Sequence, residues 1–358
     1  MTVQTMIAQA RPASEPGPTI EEEAEEALLC LLEGVDLTRS QAKVLFGALV
    51  AGRLDDPTIA TMLTALRLKG ETTDELIGGA KALRAADADF PRPDYLFADS
   101  CGTGGDGSGS INVSTAAAFV AAGAGLPVAK HGNRSFTSRC GSADVLERLG
   151  AKLDLAPERS REILDETGFC FLFAPHYHPG LKHAGPARLA LKVRTIMNLL
   201  GPCLNPAEPQ VQLLGVADPE RLEPIARTLQ ALGVEKALVV HGSGLDEVAL
   251  HGATDAVRLE GGQTERLTMT PEEAGLDRAP LTAIRGGDPA ENAEGLEALL
   301  RGEAPAAHAD LIALNAGALL FTAGKAGDLA AGVAQAREAI RSGAARGVLA
   351  GYVEASHG

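Results

Sequence analysis

Residues 95–129 read YLFADSCGTGGDGSGSINVSTAAAFVAAGAGLPVA. Tyr95-Leu96-Phe97-Ala98 is a short apolar run of strand length. It leads into Cys101-Gly102-Thr103-Gly104-Gly105-Asp106-Gly107-Ser108-Gly109-Ser110, which holds five glycines in eight residues. Ser114 to Ala124 is Ala-rich and helical, and Leu126 to Ala129 is a second apolar run. Strand, loop, helix and strand in this order form a βαβ unit, and strands joined that way run parallel.

The alternation continues downstream. A helix is expected near Pro157 to Glu166, with strands at Phe169 to Phe173 and Val211 to Val216. Asp218-Pro219 caps a further helix ending at Gly233, ahead of a strand at Ala237 to Val240. A hairpin-like stretch surrounds Gly261-Gly262, and two or three helices follow from Pro289 to Ser342. Upstream, Thr19 to about Arg84 is helical throughout. Thr19 with Glu22, Thr38 with Gln41 and Thr72 with Glu75 are capping boxes. Asp56-Pro57 reads as an N-cap followed by Pro, and Gly70 as a stop. Residues 1–18 read as a disordered tail without the basic flank, apolar core and cleavage site of a signal peptide. The expected class is α/β: a small all-helical domain at 19–90, then a larger α/β domain with a mainly parallel central sheet. The helical segment 182–205 could pack on either.

Composition narrows the function. The 358 residues carry 32 Lys+Arg against 47 Asp+Glu, a formal charge of −15. That balance excludes a general polyanion binder, since such affinity comes from neutralising phosphates. No uninterrupted apolar run reaches the ~20 residues of a membrane span. A soluble chain with no membrane or nucleic-acid partner is therefore expected. Five cysteines without a C-x-x-C pair argue against structural zinc and disulfides, and for a reducing cytoplasm.

The charge is unevenly distributed. Residues 107–143 and 167–207 contain no Asp or Glu but carry Lys130, Arg134, Arg139, Lys182, Arg188, Lys192 and Arg194. At 47 acids in 358 residues, each stretch would hold about five. Taking those seven from 32 basic residues leaves 25 against 47 acids, a net −22 on the remainder. An Ala-rich core with an exposed basic helix would account for this; so would a site for anions.

Four constellations carry chemistry. The Gly-rich loop after the first strand lets backbone amides approach an anion, with the positive end of the next helix aimed into the same space. It matches G-x-G-x-x-G, yet the helix starts too late for a dinucleotide fold and the second strand ends on Lys130, not an acid. No Lys follows the glycines, so it is not a Walker loop. A structural turn and a phosphate cradle of another kind both fit. Lys130 to Arg139 forms a dense donor array at the end of the second strand, facing the same crevice. His176, His178 and His183 have a spacing that suggests a metal, but Pro179 separates them; a lining for a planar ligand, with Arg188 for its carboxylate, fits better. Asp246 and Glu247 follow the Ala237 to Val240 strand as candidate Mg²⁺ ligands.

Together these residues resemble anthranilate phosphoribosyltransferase. The resemblance lies in Gly-Thr-Gly-Gly-Asp at 102–106, Asn-Val-Ser-Thr at 112–115, Lys-His-Gly-Asn-Arg at 130–134, Gly-Ser-Ala-Asp at 141–144, Arg-Thr-Ile-Met-Asn-Leu-Leu-Gly-Pro at 194–202 and Gly-Leu-Asp-Glu at 244–247. It runs from about Glu25 to Ala345. It implies transfer of the 5-phosphoribosyl group of 5-phosphoribosyl 1-diphosphate (PRPP) to the amine of anthranilate in tryptophan biosynthesis. It also implies a nucleoside phosphorylase/phosphoribosyltransferase-type fold, with the small helical domain hinged to the large one (91–178 and 206–358). Helices from about 179–205 would then join the small domain. PRPP would be held by Gly102, Gly105, Asp106, Ser110, Asn112, Val113, Ser114, Thr115, Lys130, His131, Gly132, Asn133, Arg134, Ser135, Phe136, Thr137, Ser138 and Ser142. Two Mg²⁺ ions would use Ser114, Asp246 and Glu247. Anthranilate would meet Gly102, Asn133, His178 and Arg188, with His131, Asn133 and Arg188 acting by positioning and electrostatics. A homodimer through the helical domain follows from the same resemblance. Ser110, Cys101, Cys140, Thr137 and Leu181 depart from the family's usual residues without removing a charged or metal-binding group.

Anthranilate's amine is neutral at pH 7, so no strong base is needed before attack. The sequence accordingly predicts a site rich in donors and poor in an obvious His–carboxylate dyad. Two other readings stay open. A pyrimidine nucleoside phosphorylase-like enzyme would favour a Lys-His-Ser-Thr-Gly-Gly-type loop where Cys101-Gly102-Thr103 stands. A catalytically silent paralogue binding nucleic acid or protein could dispense with Asp246, Glu247 or Arg188, all of which are present.

Overall fold

The computed structural model describes residues 19–135 and 139–358. The expected tail at 1–18 and three expected PRPP contacts, Phe136, Thr137 and Ser138, lie outside these.

Four helices open the chain: α1 (Ile20–Leu32), α2 (Arg39–Val50), α3 (Asp56–Lys69) and α4 (Thr73–Arg84). Three of them begin with the capping boxes at Thr19, Thr38 and Thr72. The cap of α3 is Asp55 rather than Asp56, and its side chain accepts the Thr58 amide at 2.9 Å. Two adjacent acids give the same signal, and the first can reach the free amides because Asp56 already has helical geometry. The bundle buries Leu45, Phe46, Leu49, Leu63 and Leu66. Ala184, Ala187, Ile196, Met197, Leu200 and Leu204 pack into the same cluster, so the basic segment completes the helical core.

The larger part is a seven-stranded sheet of order β3-β2-β1-β4-β5-β6-β7. Strands β1 (Ala98–Gly102), β2 (Val128–Gly132), β3 (Phe169–Phe173), β4 (Val211–Gly215) and β5 (Lys236–His241) pair in parallel. Strands β6 (Thr254–Glu260) and β7 (Gln263–Met269) add an antiparallel hairpin. Gly261 and Gly262, at φ 59° and 75°, form its two-residue turn, a conformation that glycine adopts without strain. Between the strands run α5 (Val113–Gly123), α6 (Ser142–Arg148) and α7 (Pro157–Thr167). Short helices α8 (Ala174–Tyr177), α9 (Gly185–Leu191) and α10 (Ile196–Leu200) cross to the bundle and back, and α11 (Leu222–Ala231) links β4 to β5.

The chain closes with α12 (Pro289–Leu300), α13 (Ala306–Thr322), α14 (Leu329–Arg341) and a helix beyond the expected set, α15 (Ala344–Ala355). Gly343, in the left-handed region at φ 78°, resembles a stop but here starts α15. Tyr352 of α15 is fully buried, edge-on to Phe169 at 4.9 Å. Both α5 and α13 are apolar on nearly every side because they fill the core against the sheet. Among the described residues no helix is long and apolar enough to cross a membrane.

The strand order reverses between β1 and β4. In parallel sheets such a switch opens a crevice beyond the strands' carboxyl ends. The loops after β1, β2 and β5 reach this end.

Candidate active site

The loop after β1 is held open by its neighbours. Gly104 and Gly105 have φ of 65° and 75°. The Arg194 guanidinium donates to the Gly104 carbonyl and, at 3.0 Å, to the Thr103 carbonyl. A Cβ on Gly105 would stand 1.5 Å from Arg194 Nη1 on a left-handed backbone, so a side chain there would displace the guanidinium. Arg194 is itself tied to the bundle, since Arg67 donates to its carbonyl at 2.7 Å. Asp106 accepts the Ser108 amide at 3.0 Å, and the Ser110 amide donates to Ser108 Oγ at 3.2 Å. Asn112 accepts from Asn292 at 2.9 Å. Val113 and Thr115 are buried at the start of α5, and Ser114 beside them is partly exposed.

At the end of β2, Lys130 is 2% exposed and donates to the Ser100 carbonyl and, at 3.2 Å, to Ser114 Oγ. Its charge lies near buried Asp99, whose carboxyl is pushed up by burial and drawn back by Lys130. Gly132 packs so closely that a Cβ would meet Ser142 Oγ at 2.3 Å. Ser142 Oγ donates to the Asn133 carbonyl at 3.3 Å, and the Ser135 amide donates to Asp144 at 3.1 Å. Arg134 pairs with Glu147 of α6 at 2.5 Å and lies over Phe173.

The loop after β5 brings in two carboxylates. Asp246 Oδ2 accepts the Gly104 amide at 2.6 Å. It comes this close because Gly215 and Gly102 have no side chains; Cβ atoms there would lie 1.6 Å and 2.4 Å from Asp246 atoms. Burial, then the Asp106 charge, pushes Asp246 up to about 7. Burial and Asp246 raise Glu247 well above the usual carboxylate range, against the pull of Lys130. Neighbouring carboxylates that resist ionisation together are stabilised by a cation between them. Hard oxygen donors from Asp246, Glu247 and Ser114 fit Mg²⁺, which typically takes one or two carboxylates and fills its shell with water and substrate phosphate. Among the described residues no group of three or more His, Cys, Asp or Glu could hold a metal ion.

The histidines do not converge. His176 approaches Asp154 at 3.4 Å, and His183 packs on Gly52 of the bundle. His178 is buried, with Nε2 at 3.0 Å from His131 Nε2 and Nδ1 on Asp87. His178 and Asp87 thus form a buried His–carboxylate pair that is not obvious in the sequence. Asp87 lies 91 residues before His178, in a polar linker after α4 that carries no sign of its partner. Burial raises its carboxyl, with His178 and Arg84 opposing. Burial, His178 and Lys130 hold His131 well below the ordinary imidazole value. Arg188, on α9, is half-buried, and this desolvation weakens its hold on its proton. Arg194 also shapes the crevice without being among the expected site residues, although it lies inside the second acid-free stretch.

Residues 94–346 match the family described as "Glycosyl transferase family, a/b domain", and 25–86 match its "helical bundle domain". An anthranilate phosphoribosyltransferase of Sorangium cellulosum is 56% identical over 91% of this chain and 94% of its own length. The crystal structure of anthranilate phosphoribosyltransferase from Thermus thermophilus superposes with a TM-score of 0.88 at 45% identity, covering 93% of this chain and 99% of that one. The Saccharomyces cerevisiae enzyme in complex with PRPP and Mg superposes at 0.79 with 27% identity, over 96% and 95% of the two chains.

Proposed function

The chain belongs to the anthranilate phosphoribosyltransferase family, and from that premise we propose how its crevice moves the 5-phosphoribosyl group of PRPP to the amine of anthranilate, releasing pyrophosphate, in tryptophan biosynthesis. One observation carries the reading. The Gly-rich loop clamped by Arg194, the buried Lys130 and the Asp246–Glu247 pair meet beyond the ends of β1, β2 and β5. A polyphosphate needs all three: exposed amides, a fixed cation and a place for Mg²⁺. The relatives' names favour this reading over a nucleoside phosphorylase or a silent paralogue.

Breaking the C1–pyrophosphate bond puts charge on the leaving group and oxocarbenium character on the ribose. Amides of Gly105 and of the Asn112 to Thr115 turn, with Lys130, stabilise the departing oxygens. Two Mg²⁺ ions held by Ser114, Asp246 and Glu247 would supply charge neutralisation at the pyrophosphate. Arg188 takes the anthranilate carboxylate, and Gly102, Asn133 and His178 orient the ring. Holding the amine in line with C1 provides most of the rate, and closure of the bundle over the sheet excludes water.

A homodimer through the bundle is supported by exposed Leu29, Leu32, Val35 and Leu68, the last 81% accessible. Leu32 and Leu68 line one groove there with Ala60 and Ala65, and a contiguous apolar patch is typical of a covered surface. Five free cysteines support a cytoplasmic location.

The test is an assay of anthranilate consumption, followed by fluorescence, with PRPP and Mg²⁺ each omitted in turn. Loss of signal only in the complete mixture is expected. Untouched anthranilate alongside consumption of another amine or a nucleobase would refute the reading.

A further inference from the structure

We propose that His131, His178 and Asp87 form a proton relay that removes the proton released by the attacking amine, with Asp87 the positioning residue at its far end. This rests on the transferase reading above.

The geometry is continuous. His131 stands at the crevice end of β2, directly before Gly132 and Asn133. Its Nε2 lies 3.0 Å from His178 Nε2, the rings edge-to-face with centroids 4.9 Å apart. His178 Nδ1 contacts Asp87 Oδ1, in a pair whose side chains are 3% and 8% exposed. The Ala88 amide donates to the Tyr177 carbonyl at 2.8 Å, fixing the Asp87 linker against the His178 loop. Asp87 also lines a cavity of about 180 Å³ with Arg84, Asp89 and Glu208.

Hydrogen-bond chemistry orients the chain. A carboxylate only accepts, so Asp87 selects the Nδ1–H tautomer of His178. His178 Nε2 then accepts from Nε2–H of His131, whose Nδ1 keeps a lone pair. As nitrogen bonds to C1, the C1–O bond breaks and its electron pair leaves with pyrophosphate. The nitrogen becomes an arylammonium, acidic enough for a neutral imidazole to deprotonate. Its proton passes to His131 Nδ1, and the Nε2 proton of that ring moves to His178 Nε2. The positive charge comes to rest on His178 beside Asp87.

The surroundings suit this direction. Lys130 stands next to His131, and Asp99 binds the His131 amide at 3.2 Å. Burial, His178 and Lys130 hold His131 below the ordinary imidazole value, so it passes a proton on instead of keeping it. Besides His178, the charged groups around Asp87 are Arg84, Glu208, Asp89 and Arg92.

Two variants test the relay, D87N and H178Q, each in the full chain with PRPP, Mg²⁺ and anthranilate. Both keep polar side chains, but D87N removes the carboxylate that stabilises the migrating charge and H178Q the ring that carries it. We expect kcat to fall by roughly 10²-fold, the low end for proton transfer by a positioned group. The KM for PRPP should stay unchanged, and the residual rate should rise with the concentration of added buffer base and with pH. D87E should recover part of kcat. A purely structural role would alter KM or the melting temperature without creating buffer dependence. The relay is overturned if D87N, or H178Q should D87N not fold, retains parental kcat and pH profile, or loses kcat without buffer dependence. A parent protein that leaves anthranilate untouched would sink the transferase reading instead.

Discussion

The carboxylate of Asp246 accepts the backbone amide of Gly104 at 2.6 Å, joining loops 142 residues apart. One oxygen of the proposed metal ligand therefore also shapes the phosphate loop. Asp246→Asn should raise the Mg²⁺ concentration for half-maximal activity at least roughly tenfold, since even outer-shell partners of metals are worth that much. Mg²⁺ titration of the assay checks this; an unchanged midpoint would remove Asp246 from the metal site.

Gly215 makes that approach possible, its absent Cβ leaving room for the Asp246 carbonyl. Gly215→Ala inserts a methyl where backbone stands and neither side can yield cheaply. Destabilisation of at least about 1–3 kcal/mol is expected, measured by denaturant unfolding. A stability equal to the parent's would mean the two loops separate easily.

Gly105→Ala should act on binding more than on folding. The new Cβ both strains a left-handed backbone and pushes Arg194 from the loop carbonyls. Backbone strain of this kind costs about 1–3 kcal/mol, read here as weaker PRPP–Mg²⁺ binding by calorimetry. Parental affinity would show that the clamp is dispensable.

Arg188→Ala should raise the KM for anthranilate by roughly 10- to 100-fold, the worth of a hydrogen bond to a charged partner. PRPP–Mg²⁺ binding should stay intact. Parental anthranilate kinetics in this variant would move the acceptor site elsewhere.

Leu68→Lys places a charge on the most exposed of the apolar residues on the bundle. Losing one buried leucine costs roughly 1.5–3 kcal/mol per subunit, so sedimentation should move toward monomer. An unaltered sedimentation profile would exclude this face from the interface.

Much of this architecture is legible in the chain itself. Phe169–Phe173 can be read to the residue because all five side chains are apolar and a helix stop, Gly168, precedes them. The first strand reads too early, at residues 95–98, because Asp99 and Ser100 look like loop residues. The Asp99 carboxylate is buried in β1 because the His131 amide and Gln212 satisfy it, and Lys130 binds the Ser100 carbonyl; those partners are 30 or more residues away. Asp87 is invisible for the same reason, being one acid among several in a polar linker. Arg194 carries a signal in its acid-free neighbourhood, but nothing local says that a side chain will bind carbonyls 90 residues back.

The contact between Arg67 and the Arg194 carbonyl has a thermodynamic consequence. The clamp on Thr103 and Gly104 is anchored in the helical bundle, and Arg221 ties the sheet to Glu71 of the same bundle at 2.9 Å. Whatever free energy the bundle contributes to the loop's shape, PRPP must return as a tighter union of bundle and sheet, because coupling between two sites is reciprocal. The bundle thus behaves as an effector that never dissociates, and ligand binding at the glycines should be detectable as slower hydrogen exchange along α3.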